Sequence, residues 1–129
     1  MRLLVCGSRA YGFEPMLRRT LDALHAESPV HTVIEGGARG ADALGARWAL
    51  DRGIEVETYP ADWGRHGKRA GYLRNVEMLE QGKPDFVLAF VIRLNGDTAD
   101  QALAASRGTA MMVQLAKDAG VRGRLIAGG

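Results

Sequence analysis

The stretch Val33-Ile-Glu-Gly-Gly-Ala-Arg-Gly-Ala-Asp42 decides the fold. An apolar run from His31 to Ile34 stops at the pair Gly36-Gly37, a third glycine follows at Gly40, and the sequence continues with helical spacing. This reads as a strand-to-helix junction with few side chains at the bend. Glycine lets the backbone reach positive φ, and it lets a ligand rest directly on N–H groups. The first turn of the helix offers unpaired amides at the positive end of its dipole, which suits phosphate. A Gly-Gly pair between a strand and a helix also serves as a plain tight connection, so this stretch alone leaves both readings open. It is not a P-loop, because Ala41-Asp42 follows Gly40 where Lys and Ser or Thr would stand. Its glycine spacing also differs from the dinucleotide fingerprint.

Upstream, Arg2 to Cys6 is an apolar run that reads as a buried first strand and ends at Gly7-Ser8-Arg9. A glycine, a small hydroxyl and a guanidinium at a strand end are a second candidate anion contact; a simple turn capped by Ser8 is the other reading. Met16, Leu17, Leu21 and Leu24 give the next segment a helical stripe, with Pro15 in its first turn. Val30 to Glu35 is the second strand. Downstream of the junction, a helix is expected from about Arg39 to Arg52, with Trp48 in the core and Gly53 closing it. Ile54 to Tyr59 alternates apolar and polar residues as a third strand.

Ala61 to Gly71 reads as a long loop carrying Trp63, His66, Arg65, Lys68 and Arg69. Loops of that length are usually functional, and aromatic and cationic groups together suit stacking and phosphate contact. A helix over about Ala70 to Gln81 has a packing stripe of Leu73, Val76 and Leu79 and a second stripe of Arg74, Asn75 and Met78. Phe86 to Phe90 is the apolar heart of a fourth strand. Arg93 to Arg107 reads as a lid or lining segment, helical in part over Asp97 to Ala105. Ser106-Arg107-Gly108-Thr109 is a third phosphate-friendly turn, opening a helix that runs to Gly120. Val121 to Ala127 is the last strand, and Gly128-Gly129 is expected to be an unstructured end.

Strands and helices alternate throughout, which predicts an α/β, Rossmann-like three-layer sandwich of about five mainly parallel strands with helices on both faces. The 129 residues form a single expected domain. Such sheets bind ligands beyond the carboxyl ends of their strands, at a topological switch point, and the singled-out turns would converge there. Composition is that of an ordinary globular protein, with 47% hydrophobic and 25% charged residues. A net charge of +2 is no strong nucleic-acid footprint. The lone Cys6 excludes an internal disulfide, the three histidines are scattered, and no metal or cofactor is expected. The opening Met-Arg-Leu-Leu-Val-Cys-Gly is too short for a signal peptide, so a cytoplasmic location without membrane contact is the expectation.

Taken together, Gly7-Ser8-Arg9, Gly36-Gly-Ala-Arg-Gly-Ala-Asp42, Pro60-Ala-Asp-Trp63, Lys68 to Gly71 with Arg74-Asn75 and Met78, and Arg107-Gly-Thr109 resemble the YspA, or YpsA-related, branch of the SLOG superfamily. That Rossmann-like superfamily includes the Lonely Guy phosphoribohydrolases and the DprA/Smf proteins. The resemblance implies binding of a nucleotide-derived ligand, such as a nucleotide, ADP-ribose or an NAD-like molecule. Its expected contacts are Gly7, Ser8, Arg9, Gly36, Gly37, Ala38, Arg39, Asp42, Trp63, Lys68, Arg74, Asn75, Gly108 and Thr109. The position matching the Lonely Guy catalytic glutamate is Met112, which cannot shuttle a proton. An N-glycosidase would then need Glu35 or Asp42 as its acid. A third reading, by analogy with DprA, is single-stranded DNA on Trp63, Arg65, Lys68 and Arg69. Related proteins are often dimers, so a homodimer or higher homo-oligomer is an open expectation.

Overall fold

A computed structural model describes residues 1–128. Strand β1 (Arg2–Gly7) leads through helix α1 (Glu14–Glu27) to β2 (Thr32–Glu35), and through α2 (Ala41–Asp51) to β3 (Glu55–Thr58). A short helix α3 (Trp63–His66), a 3-10 turn (Gly67–Arg69) and α4 (Ala70–Glu80) return the chain to β4 (Phe86–Ile92). Helices α5 (Ala99–Ala105) and α6 (Arg107–Asp118) then precede β5 (Arg122–Gly128). The strands pair all-parallel in the order β3-β2-β1-β4-β5. The chain therefore winds outward from β1 to β3, then crosses back to lay β4 on the other side of β1. The carboxyl ends of β1 and β4 are the switch point.

The period of two along each strand divides the core between the faces. Leu3, Val5, Val33, Leu88 and Phe90 face α1 and α2, whose Leu17, Leu21, Leu24, Trp48 and Ala49 cover them. Leu4, Cys6, Ile34, Val87 and Ala89 face the other way, against Met78 of α4 and Met112 and Ala116 of α6. Trp48 is fully buried, and its indole N–H donates to Asp22 Oδ1 at 2.9 Å. A fully buried aromatic of this kind typically contributes about 3–5 kcal/mol against alanine. The sandwich and its helices on both faces are as the sequence predicts; the sheet is wholly parallel.

Several local expectations change. The segment read as a loop from Ala61 contains α3, because the Asp62 side chain accepts from the Arg65 amide at 3.0 Å and caps a helix there. The buried residues of α4 are Ala70, Asn75 and Met78, while Leu73, Val76 and Leu79 are only half-buried. The i, i+3 row through Asn75 and Met78 thus faces the sheet. Helix α2 starts at Ala41 because Gly40, at φ +75°, cannot continue it backwards. Gly128 belongs to β5, and Gly129 lies outside the described residues. Among the described residues no helix is long and apolar enough to cross a membrane.

Candidate ligand-binding site

A cleft opens over the carboxyl ends of β1 and β4. Its larger chamber, of about 520 Å³, is lined by Gly7, Ser8, Arg9 and Ala38 from the first two strand ends, and by Asp42 of α2. Arg74 and Asn75 of α4, and Gly108 and Thr109 of α6, complete the polar wall. A smaller chamber of about 270 Å³ lies toward β3, between Gly36, Gly37, Arg39 and Trp63. Arg9, Ala38 and Arg74 border both chambers. The structure thus gathers every sequence-singled ligand residue except Lys68, which is exposed on the 3-10 turn and lines neither chamber.

The floor is shaped by residues that cannot carry a side chain. A Cβ on Gly7 would stand 2.1 Å from the Phe90 carbonyl oxygen and 2.6 Å from the Ala41 methyl. The Ser8 amide donates to that same carbonyl at 2.9 Å, and the Ser8 carbonyl accepts from the amides of Tyr11 (3.1 Å) and Ala41 (3.3 Å). The β1 turn is thereby tied to β4 on one side and to the start of α2 on the other.

The turn after β2 departs from the expected open cradle. The Gly36 amide donates to Asp42 Oδ2 at 2.9 Å, and the Gly37 amide to Glu35 Oε1 at 2.6 Å. Glu35 Oε2 accepts from the Thr58 hydroxyl at 2.5 Å, so both its oxygens are engaged. Two carboxylates of the chain thus occupy the donors that a phosphate would use. Gly36 also lets Arg74 approach: its carbonyl accepts from Arg74 Nη1 at 2.7 Å, and a Cβ there would make the guanidinium shift.

Helix α4 links the β2 turn to α6. Arg74 Nε donates to Asn75 Oδ1 (3.0 Å), and Asn75 Nδ2 donates to the Gly108 carbonyl (3.2 Å). Asn75 is 4% exposed, so its amide is a strut between the two walls. The first turn of α6 differs from the β2 turn. Ser106 Oγ pairs with Thr109 Oγ1 at 2.7 Å, and no side chain caps the helix. Its leading amides stay open beside the cleft, at the positive end of a twelve-residue helix. The expected turn at Gly108-Thr109 is therefore a helix start, reached through α5 rather than directly from a strand. Arg9, Arg39, Arg74 and Arg107 take no part in the ion pairs among the described residues.

Asp42 is the acid that meets the cleft. Burial pushes its carboxyl up to about 6, with nearby Glu35 acting the same way, against the Gly36 amide, Arg74 and the Ala38 amide. Glu35 is 3% exposed and lines neither chamber. Met112 is 1% exposed, inside the second core cluster. Burial holds the Cys6 thiol far above its ordinary range. The segment 93–107, expected as a lid or lining segment, lines the larger chamber through Leu94, Ala102 and Ala105, which with Ile92 form an apolar wall that the sequence did not single out residue by residue. The i, i+3 alanines within 93–107 were the available signal. Helix α5 brings them to the cleft, capped by reciprocal Thr98 and Gln101 bonds.

A parallel five-stranded sheet with helices on both faces and a cleft at its switch point is a Rossmann-like α/β fold with a candidate ligand site. Residues 1–66 match the YspA, cpYpsA-related SLOG family. The Gene 61 protein of Mycobacterium phage D29 is 43% identical over 95 residues, covering 69% of this chain and 75% of that one. The chain belongs to the YspA, cpYpsA-related SLOG family.

Proposed function

We propose that this protein binds a nucleotide-derived ligand, such as a nucleotide, ADP-ribose or an NAD-like molecule, with a phosphate on the first turn of α6. The observation that carries the reading is that open turn, facing a cleft bordered by Arg74 and Arg9. Amides at a helix start and guanidinium groups together make a strong phosphate site. Apolar Met78, Ile92 and Leu94 line the same chamber and suit a sugar or base. The test is thermal stability across a nucleotide panel, since a ligand of the native state raises the melting temperature by mass action. A shift with at least one nucleotide, lost in Arg74→Ala when compared with that variant's own melt, is the expected result. No shift with any nucleotide overturns the reading.

A second reading rests on Asp42, a cleft-lining carboxyl whose raised pKa suits proton transfer near neutral pH. It would make the protein an N-glycosidase acting on a nucleoside monophosphate. Release of ribose 5-phosphate from AMP, abolished in Asp42→Asn, is the outcome that supports it.

A further inference from the structure

Resting on the nucleotide-binding reading, we propose that the smaller chamber is a second subsite. The ligand is then two-ended: two nucleosides joined through a diphosphate, with the distal ring lying on Trp63. The two chambers are neighbours in one cleft, meeting at Arg9, Ala38 and Arg74. Two guanidinium groups at that junction match a diphosphate: Arg9 presents a whole fork, and Arg74, with Nε on Asn75 and Nη1 on Gly36, keeps Nη2 for a phosphate oxygen. The larger chamber has the uncapped α6 turn and room for one nucleotide. The smaller, about half that volume, lacks such a turn and is walled by Pro60, Ala61 and Trp63. Arg9, Arg39 and Arg74 complete its lining, so a flat ring lying on Trp63 is flanked by guanidinium groups.

Trp63 is built as a platform. It is 50% exposed, although large aromatics are usually well buried. It opens α3, whose register Asp62 fixes. The Arg9 guanidinium carbon lies over the indole, 5.9 Å from its centroid, so the charge that borders both chambers shares one face of the ring and leaves the other for a ligand. Gly71 leaves room at the ring's far edge, where a Cβ would sit 3.5 Å from Cη2. Both oxygens of Glu35 are engaged by the Gly37 amide and the Thr58 hydroxyl, and its side chain does not line the slot.

The test is calorimetric titration of the whole chain with AMP and with NAD, in the unaltered protein and in Trp63→Ala and Trp63→Phe. NAD is expected to bind at least tenfold tighter than AMP. Trp63→Ala should remove most of that advantage and change AMP affinity less than twofold, and Trp63→Phe should restore most of it. Because Trp63 lies outside the core, circular dichroism of the variants should match the parent. Equal affinities for AMP and NAD overturn the second subsite while leaving nucleotide binding standing. Equal weakening of both ligands by Trp63→Ala does the same. Absence of binding by either ligand overturns both the subsite and the reading beneath it.

Discussion

The turn after β2 and the start of α6 read alike in the sequence, each a small, glycine-bearing approach to a helix. In the fold they behave oppositely. The β2 turn is closed by its own acids: Asp42 takes the Gly36 amide and Glu35 takes the Gly37 amide. The α6 start carries no acid in its own first turn, and no carboxylate bonds to its amides; Ser106 and Thr109 satisfy each other, and the helix amides stay open. A glycine-rich turn therefore marks an anion site only where no carboxylate of the chain reaches it first. Buried polar groups find partners wherever the fold supplies them, so acids flanking a glycine turn deserve as much weight as the glycines.

The sharpest way to break this contrast is through Asp42. Its folded pKa, about 6, lies above the ordinary 3.8. Between those values the native state binds more protons than the unfolded state. Its favourable contribution is complete below the lower value and is lost as pH rises through about 6. A shift of that size is on the order of 3 kcal/mol. Urea melts at pH 4.5 and 7.5 should show the parent losing about 2 kcal/mol of this relative to Asp42→Asn, the rest being lost already below pH 4.5 as the unfolded carboxyl ionises. Parallel pH profiles for the two proteins would break the account of a costly buried plug.

Glu35→Ala comes next. It frees the Gly37 amide and the Thr58 hydroxyl, both near enough to the surface for water to compensate in part, and should cost about 2 kcal/mol in the same melts. A neutral result would show the β2 turn to be as open as the α6 start. Gly108→Ala has the smallest effect and the opposite sign. No atom lies within 4 Å of the added methyl, and the site is helical, so stability should rise by about 0.5–1 kcal/mol. Destabilisation there would mean that the turn is crowded rather than open.

The architecture was legible because it rests on local signals. Runs such as Leu3 to Cys6 and Phe86 to Phe90 announce buried strands, and the intervening helices force parallel pairing. The gathering of Gly7, Gly36, Trp63 and Gly108 at one edge follows from the same logic. What stayed hidden depends on contacts between distant residues. Spacing could not reveal that Asp42 turns back to Gly36, or that Asn75 spends its amide on Gly108. The α4 stripe was misjudged because its apolar residues face half-outward while Asn75 is buried by the strut it makes. The α5 segment was expected as a lining, but its wall residues Ala102 and Ala105 went unnamed because alanines carry no chemical signature until a fold places them.

The strand order has a consequence for how the chain is made. Central strand β1 pairs on one side with β2, which follows closely, and on the other with β4, which begins only at Phe86. Until β4 has emerged, the strands β1, β2 and β3 can pair among themselves, but the β4-facing edge of Leu3 to Cys6 has no partner. An apolar strand edge in that state is a template for pairing with other chains. Emergence of Phe86 to Ile92 therefore closes the cleft floor but opens a new apolar edge, and the interval of greatest exposure ends only when Arg122 to Gly128 pairs with it.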